Sequence, residues 1–152
     1  MFGPTRGLEN QYAQLVRTGR LQFVGPITEK DLIRYYHRVD CVVHTEKFAG
    51  WANLVAEAMS CELPVICTPH GTSVFAIHNQ NSIVLNNPNS HCIAKAVMAL
   101  SKNSYFSKQL AKQGRQTMMD FTWSQYAKQM LNLIFDSAVV DSNEQHYPRQ
   151  LQ

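Results

Sequence analysis

Short runs of apolar residues alternate along the chain with amphipathic stretches of helical spacing. The runs have the length and residue types of buried strands and cover residues 21–24, 41–43, 64–68 and 82–85. The stretches between them predict helices over residues 8–18, 28–39, 53–61 and 74–78. Alternating strands and helices with buried strands indicate an α/β fold built on a Rossmann-like, doubly wound parallel sheet.

Three further helical stretches follow the last predicted strand, over residues 90–100, 105–119 and 124–138. Thr122 is placed to cap the last of them, and Trp123 to anchor it. Its apolar stripe is interpreted either as core or as a surface that docks on an absent domain; the stripe comprises Tyr126, Met130, Leu133 and Ile134. The pattern predicts one domain over residues 1–138 and a loose polar tail over residues 139–152.

Composition and charge narrow the class of protein. With 152 residues, 45% of them apolar and 16% charged, the chain can bury a core of its own. Its net charge of +3 comes from scattered basic residues, so nucleic acid is not expected as a partner. No apolar run reaches the roughly 18 residues of a membrane span, and no signal peptide is evident. We therefore expect a soluble, cytoplasmic protein, with attachment to a membrane surface left open.

Cysteine and histidine give weak signals. Four cysteines lie in apolar segments without paired spacing and are expected to be reduced core residues: Cys41, Cys61, Cys67 and Cys92. His44 and His70 both fall near the carboxyl ends of predicted strands, where they would act on a phosphate or bind a metal. Loop histidines are more often plain polar surface, and no third ligand has suitable spacing. No metal site is predicted.

The most informative segment is 48–59, where a strand passes through a Gly-containing loop into a helix. Free N–H groups at the helix start, near Ala52 to Leu54, would face the crevice and suit a phosphate. Glu57 lies in an otherwise apolar helix, where a buried carboxylate needs a partner. Asn53, one turn earlier, shares its face, so the pair fits a ribose beside its diphosphate. Alternatively, Glu57 bonds a neighbouring backbone group or Arg34, and the residues alone favour neither interpretation.

The segment from Glu57 to Thr68 resembles the "EAMxCGxPVIxT" signature of the retaining glycosyltransferases of family 4, the glycosyl transferases group 1 domain. The likeness extends over most of the chain, from Gly3 to about Ala138. It includes the run that begins at Phe23-Val24-Gly25, the glycine-containing His70-Gly71-Thr72 and the late Phe121-Thr122-Trp123.

This resemblance implies that the chain is the C-terminal, donor-binding half of a GT-B fold, followed by C-terminal helices. By position, Glu57 would bind the donor ribose, while Gly50, Trp51, Ala52 and Asn53 would meet the diphosphate and sugar. Gly71 and Thr72 would form a second donor-side loop. Trp51 is also open to a second interpretation, since a loop aromatic beside a helix start more often packs than stacks on a ligand. The family generally works without a metal or other cofactor.

The chain also departs from the family pattern. Ala49 replaces the first glutamate of the E-x7-E motif, and Glu46 is acidic but out of register. Glu62 stands where the family has a glycine, at a turn that often needs φ > 0. The first strand, with its basic pair, and the acceptor-binding N-terminal domain are missing, so we expect that domain or subunit as a partner. The sequence is therefore consistent with two functions. One is donor binding in hexose transfer from a nucleoside-diphosphate sugar to an acceptor hydroxyl, as in polysaccharide biosynthesis, and the other is a diverged, non-catalytic nucleotide-binding or interaction module.

Overall fold

The computed structural model describes residues 7–144, with side chains as far as Phe135. Contacts divide the chain into two compact units, Met1–Cys41 and Val42–Gln152. The first unit contains the helices α1 (Leu8–Gln11), α2 (Ala13–Arg17) and α3 (Glu29–Tyr36). The second contains, in chain order, β1 (Val42–His44), α4 (Asn53–Ser60), β2 (Val65–Cys67), β3 (Ile83–Val84), α5 (Ser90–Lys102), α6 (Ser104–Met118) and α7 (Trp123–Glu144).

In the first unit, the cap of α3 is confirmed. The hydroxyl of Thr28 accepts a hydrogen bond from the backbone N–H of Asp31 and donates one to its carboxylate. Two other predictions are wrong. The helix expected over residues 8–18 is two short helices separated at Tyr12, and no strand forms over 21–24. At the start of this run, the N–H of Leu21 donates to the carbonyl of Leu15 in the turn that ends α2, instead of to a neighbouring strand.

The second unit carries the parallel sheet that the pattern predicts, with strand order β1-β2-β3. Val42 pairs with Val65, and Ile66 pairs with Ile83. The central strand β2 is fully buried, whereas Val43 in β1 is 43% exposed. The expectation that the 41–43 run is buried on both faces is therefore wrong, because the described chain leaves the face of β1 that carries Val43 partly uncovered, whereas both faces of β2 are covered.

Helix α4 packs against the sheet and against α6. Its apolar face is completely buried at Val55, Ala58 and Met59. The helix ends in a Schellman motif, in which the N–H of Leu63 donates to the carbonyl of Ala58 and the N–H of Glu62 to that of Met59. Glu62 has φ 59°, so the positive φ expected at this position is confirmed.

The helix predicted over residues 74–78 is absent, and a turn takes its place. The side chain of Asn81 accepts a hydrogen bond from the N–H of Ile77 and donates to the carbonyl of Phe75. These are backbone groups that a helix would use for its own i to i+4 ladder. The same amide donates to the hydroxyl of Thr117, which ties the turn to α6. A single buried side chain thus replaces the helical hydrogen bonds.

The last three helices form as predicted, but α7 differs in two respects. It continues to Glu144, beyond the expected end near Ala138, and its apolar stripe is exposed. The core interpretation of that stripe is therefore wrong for this chain. The cap is confirmed, since Thr122 accepts the N–H of Gln125 on its hydroxyl. No helix among the described residues is long and apolar enough to cross a membrane.

Candidate functional site

Two loops lie side by side at the carboxyl ends of the parallel strands, where ligands bind in this class of sheet. We call residues 45–52 the β1 loop and residues 68–73 the β2 loop. The hydroxyl of Thr68 donates to the carbonyl of Glu46 over 2.6 Å, and the N–H of Ala52 donates to the carbonyl of Gly71 over 2.9 Å. Hydrogen bonds at both ends therefore hold the two loops together.

The contact between the loops is closest at Gly71. This residue has φ +71°, and a Cβ added there would lie 2.8 Å from the Cβ of Ala49. Both the backbone conformation and the space require glycine at this position. Ala49, which stands where the family signature has an acid, therefore packs directly against the β2 loop.

Thr72 is fully buried, and its role is internal. Its hydroxyl donates to the carbonyl of Thr68 over 2.6 Å, and its own carbonyl accepts the N–H groups of Phe75 and Ala76. The side chain is thus occupied in shaping the β2 loop. Any contact of Thr72 with a ligand would have to come from its backbone.

The start of α4 is less open than predicted. Ala52 is buried and its N–H is bonded to Gly71, while the N–H of Asn53 donates to the carbonyl of Trp51. The expectation of free N–H groups at these two residues is therefore wrong, because the helix start is tied to both loops. In the described chain, the N–H groups of Gly50 and Trp51 donate to no backbone carbonyl. Gly50 and Trp51 come just before the helix start that the sequence predicted as the anion site. Their N–H groups are therefore the ones available to bind an anion.

Glu57 and Asn53 are both exposed, on the face of α4 opposite its buried side. The expectation that Glu57 is buried among apolar residues is wrong, because the helix turns Val55, Ala58 and Met59 inward instead. The two polar side chains are one turn apart, as their spacing requires. Arg34, the other partner considered for Glu57, forms an ion pair with Asp31.

Trp51 belongs to an aromatic cluster. Its ring centroid lies 4.8 Å from that of Phe75 and 5.6 Å from that of Phe121, and the two phenylalanines are 6.0 Å apart. Phe75 is buried, yet Trp51 remains 42% exposed. Packing therefore covers part of the indole and leaves the rest accessible.

Trp51 lines a groove of about 740 Å3 between the start of α4 and the start of α7. Aromatic rings form much of its wall: Trp51, Phe121, Trp123 and Tyr126. Polar side chains line it as well: Asn53, Asp120, Thr122 and Gln129. We call this cavity the aromatic groove. The sequence did not predict it, although the Phe121-Thr122-Trp123 motif was a signal for part of its wall.

Histidine and cysteine side chains add little chemistry. His44 Nε2 is buried 3.3 Å from a carboxylate oxygen of Glu46, without the geometry of a hydrogen bond. His70 is exposed, and no three His, Cys, Asp or Glu side chains within residues 7–135 are placed to hold a metal ion together. All four cysteines are free, and burial raises the pKa of the Cys67 thiol, which hydrogen bonds with Thr72 and Ser82 partly counteract.

Comparisons with known proteins agree with this architecture. The family model described as Glycosyl transferases group 1 matches residues 5–117. A probable sucrose-phosphate synthase of Thermosipho melanesiensis is 26% identical over 139 residues. The match covers 88% of this chain and 32% of that relative, so the chain spans about a third of the relative's length.

Solved structures of glycosyltransferases share the fold. Sucrose-phosphate synthase of Thermosynechococcus elongatus superimposes with a TM-score of 0.75 at 23% identity, covering 89% of this chain and 34% of that one. HepE of Anabaena, solved in complex with UDP-glucose, gives 0.75 at 18% identity over 89% of this chain and 40% of that one. These likenesses confirm the Rossmann-like α/β fold, as part of a larger GT-B architecture.

Proposed function

The chain belongs to the glycosyl transferases group 1 family, and from that premise we propose that it is the donor-binding part of a retaining glycosyltransferase. The proposed reaction moves a hexose from a nucleoside-diphosphate sugar to an acceptor hydroxyl. The observation that carries the proposal is the match to the family model over residues 5–117. HepE, which shares the fold, was solved with UDP-glucose, a ligand of this chemical class.

The paired loops support a diphosphate site. Gly50 and Trp51 have N–H groups that no backbone carbonyl of the described chain takes up, and they lie beside the first turn of α4. The partial positive charge of a helix N-terminus and unbonded amides both favour an anion. Gly71 supports the same geometry, because its missing side chain lets the β2 loop approach the β1 loop closely.

Glu57 and Asn53 supply the groups that a ribose needs. Their exposed side chains lie one turn apart on α4, and a carboxylate accepts hydrogen bonds from two neighbouring hydroxyls. In the transfer step, preorganised donors at the loops would stabilise the charge that develops on the leaving diphosphate. We propose that this needs no divalent cation, and that a further N-terminal domain or subunit supplies the acceptor side.

Calorimetric titration with UDP, GDP, ADP, UDP-glucose and GDP-mannose tests the proposal, in EDTA and again in magnesium. We expect one nucleotide to bind, with equal affinity in both buffers. Glu57→Ala should weaken binding by about ten- to a hundredfold, since a hydrogen bond to a charged group contributes roughly 1.5–3 kcal/mol. Glu29→Ala, which removes an exposed glutamate from α3, is the matched control and should change nothing.

A second candidate function is that of a non-catalytic module, and the observation that favours it is Ala49. The side chain that packs against Gly71 has no polar group to offer a donor sugar. If no nucleotide binds at millimolar concentration while circular dichroism shows a folded chain, the donor-site proposal fails. The chain is then a diverged, non-catalytic module of the family. Binding that depends on magnesium would contradict only the metal-free part of the proposal.

A further inference from the structure

Helices α5 and α6 differ from the rest of the chain in charge. Between Glu62 and Asp120 the sequence contains no aspartate or glutamate. The same stretch contains five lysines and arginines, and all of them lie in these two helices: Lys95, Lys102, Lys108, Lys112 and Arg115. Basic residues that are scattered along the sequence are thus brought together on one pair of helices.

On α5, the lysines lie on the side that faces away from the core. Lys95, Met98 and Lys102 are three and four residues apart, so they share one side of the helix. The opposite side carries Ala96 and Leu100, which are buried. Both lysines are exposed, and Met98 is 49% exposed. The outer side of α5 is therefore basic, with one accessible apolar side chain.

Helix α6 repeats this arrangement. Tyr105, Lys108 and Lys112 are also three and four residues apart and share one side. Leu110 and Gly114, on the opposite side, are buried. Both lysines are exposed, and Tyr105 is 78% exposed. The outer side of α6 is therefore basic as well, with one accessible aromatic ring.

The two outer sides belong to one surface, because α5 and α6 pack against each other and Asn103 alone joins them. We call this surface the basic face. It comprises six exposed residues: Lys95, Met98, Lys102, Tyr105, Lys108 and Lys112.

The charge of the basic face is not neutralised within the described chain. Arg115, the fifth basic residue of the two helices, pairs with Glu62 over 3.5 Å. None of the four lysines of the basic face forms an ion pair with an acidic residue that the structure describes. Like charges on one surface repel each other, and an anionic partner relieves that repulsion. The basic face therefore favours an anionic partner.

We propose that the basic face binds the surface of a bilayer that contains anionic phospholipids. Each lysine near such a surface strengthens binding by about fivefold. The long aliphatic part of a lysine side chain can also lie along apolar surface while its charge stays in water. Tyrosine is enriched where headgroups meet acyl chains, which suits the exposed ring of Tyr105. This inference does not depend on the donor site.

The shape of the basic face favours a bilayer over nucleic acid. Two helices that pack against each other offer a broad surface, whereas the major groove of DNA admits a single helix. Single-stranded nucleic acid is bound by stacking successive bases on aromatic rings, and Tyr105 is the one aromatic residue of the basic face. A sheet of lipid headgroups accepts a broad basic surface without either feature.

Co-sedimentation with vesicles tests the proposal. The full chain would be mixed with vesicles of phosphatidylcholine alone, or of phosphatidylcholine and phosphatidylglycerol in a ratio of about 2:1. We expect binding to the mixed vesicles only. Raising the salt concentration from about 0.1 M to about 1 M shortens the Debye length from about 10 Å to about 3 Å and should release most of the bound protein.

Variants assign the binding to the basic face. Lys102→Gln combined with Lys108→Gln should weaken binding to the mixed vesicles by at least about tenfold. Lys30→Gln combined with Lys128→Gln is the matched control, because it lowers the net charge equally at exposed positions of α3 and α7. This control should bind nearly as the unaltered chain does. Tyr105→Ala should weaken binding a few-fold and leave its salt dependence in place.

The proposal fails if neither kind of vesicle sediments the chain. Equal binding to vesicles without phosphatidylglycerol would show that an apolar surface, such as the α7 stripe, makes the contact. An equal loss in the two lysine double variants, with the fold checked by circular dichroism, would assign the effect to net charge. Tighter binding of a short labelled DNA duplex than of mixed vesicles at the same salt concentration, measured by fluorescence anisotropy, would identify nucleic acid as the partner.

Discussion

Helices α4 and α7 both carry an apolar stripe at helical spacing, but they end in opposite environments. Met59 of α4 is 0% exposed, and Val55 and Ala58 are buried beside it. Met130 of α7 is 40% exposed, and its neighbours on the stripe, such as Leu133, are exposed as well. The two methionines make the contrast direct, because the residue type is the same.

The difference shows what a stripe can and cannot predict. Helix α4 packs between the sheet and α6, and a Cβ added at Gly114 of α6 would lie only 3.4 Å from Cγ and Cε of Met59. Along the stripe of α7, by contrast, Tyr126, Met130 and Leu133 all remain exposed. Periodicity predicts which face of a helix is apolar, whereas burial depends on what other elements bring to that face.

The largest expected effect is at the centre of the packed region. Met59→Ala should lower the free energy of unfolding by about 2–5 kcal/mol, because it removes a fully buried side chain and leaves a cavity. Chemical denaturation followed by circular dichroism measures it. A loss below about 1 kcal/mol would mean that α4 is much less tightly packed than its burial indicates.

The second largest loss of stability is expected at Asn81, a buried polar residue of the same region. Asn81→Ala should cost about 2 kcal/mol, because it leaves the carbonyl of Phe75 and the N–H of Ile77 without their partner. Asn87→Ala, at an exposed loop position, is the matched control and should be close to neutral. If the two variants unfold at the same denaturant concentration, the Asn81 bonds do not stabilise the turn.

The end of α4 allows a change in the opposite direction. Glu62→Gly should raise the free energy of unfolding by about 0.5–1 kcal/mol, since glycine adopts φ 59° without strain. The side chain that is lost makes only a half-exposed ion pair with Arg115, which is a small contribution. Glu62→Ala keeps the strain and should not stabilise, so a thermal melt in which both variants gain equally would refute the backbone explanation.

The smallest effect should come from α7. Met130→Ala should change the free energy of unfolding by less than about 0.5 kcal/mol, because 40% of this residue is already exposed to solvent. The same denaturation experiment as for Met59→Ala gives a paired comparison. A loss as large as that of Met59→Ala would show that the α7 stripe is buried in solution, by self-association or otherwise, which analytical ultracentrifugation would detect.

Local chemistry made several elements predictable. Thr28 and Thr122 cap their helices as expected, and the run 64–68 forms the central strand β2. The helix predicted over 74–78 failed, because Asn81 reaches back to the backbone groups that the helix would have used. Asn81 lies outside residues 74–78, so the spacing of apolar residues within that stretch could not indicate these bonds.

The sequence predicted two candidate loops but not the contacts between them. A strand that runs into a helix through a glycine-containing loop pointed to the β1 loop, and the resemblance added the β2 loop. The sequence could not reveal that the N–H of Ala52 donates to Gly71, or that Thr72 is buried with its hydroxyl bonded to Thr68. Both facts depend on how the two loops pack together. The aromatic groove escaped prediction for the same reason, since Trp51 and Trp123 are far apart in the chain.

The sequence by itself determined the family, the alternation of strands and helices, the caps and the positive φ at Glu62. These features depend on residue type and short spacing, which a linear pattern records. The tertiary structure alone decided which apolar stripe is buried, which N–H groups remain open and which aromatic rings meet. Burial and contact depend on which segments meet in space, and the pattern of one segment does not specify which other segment packs against it.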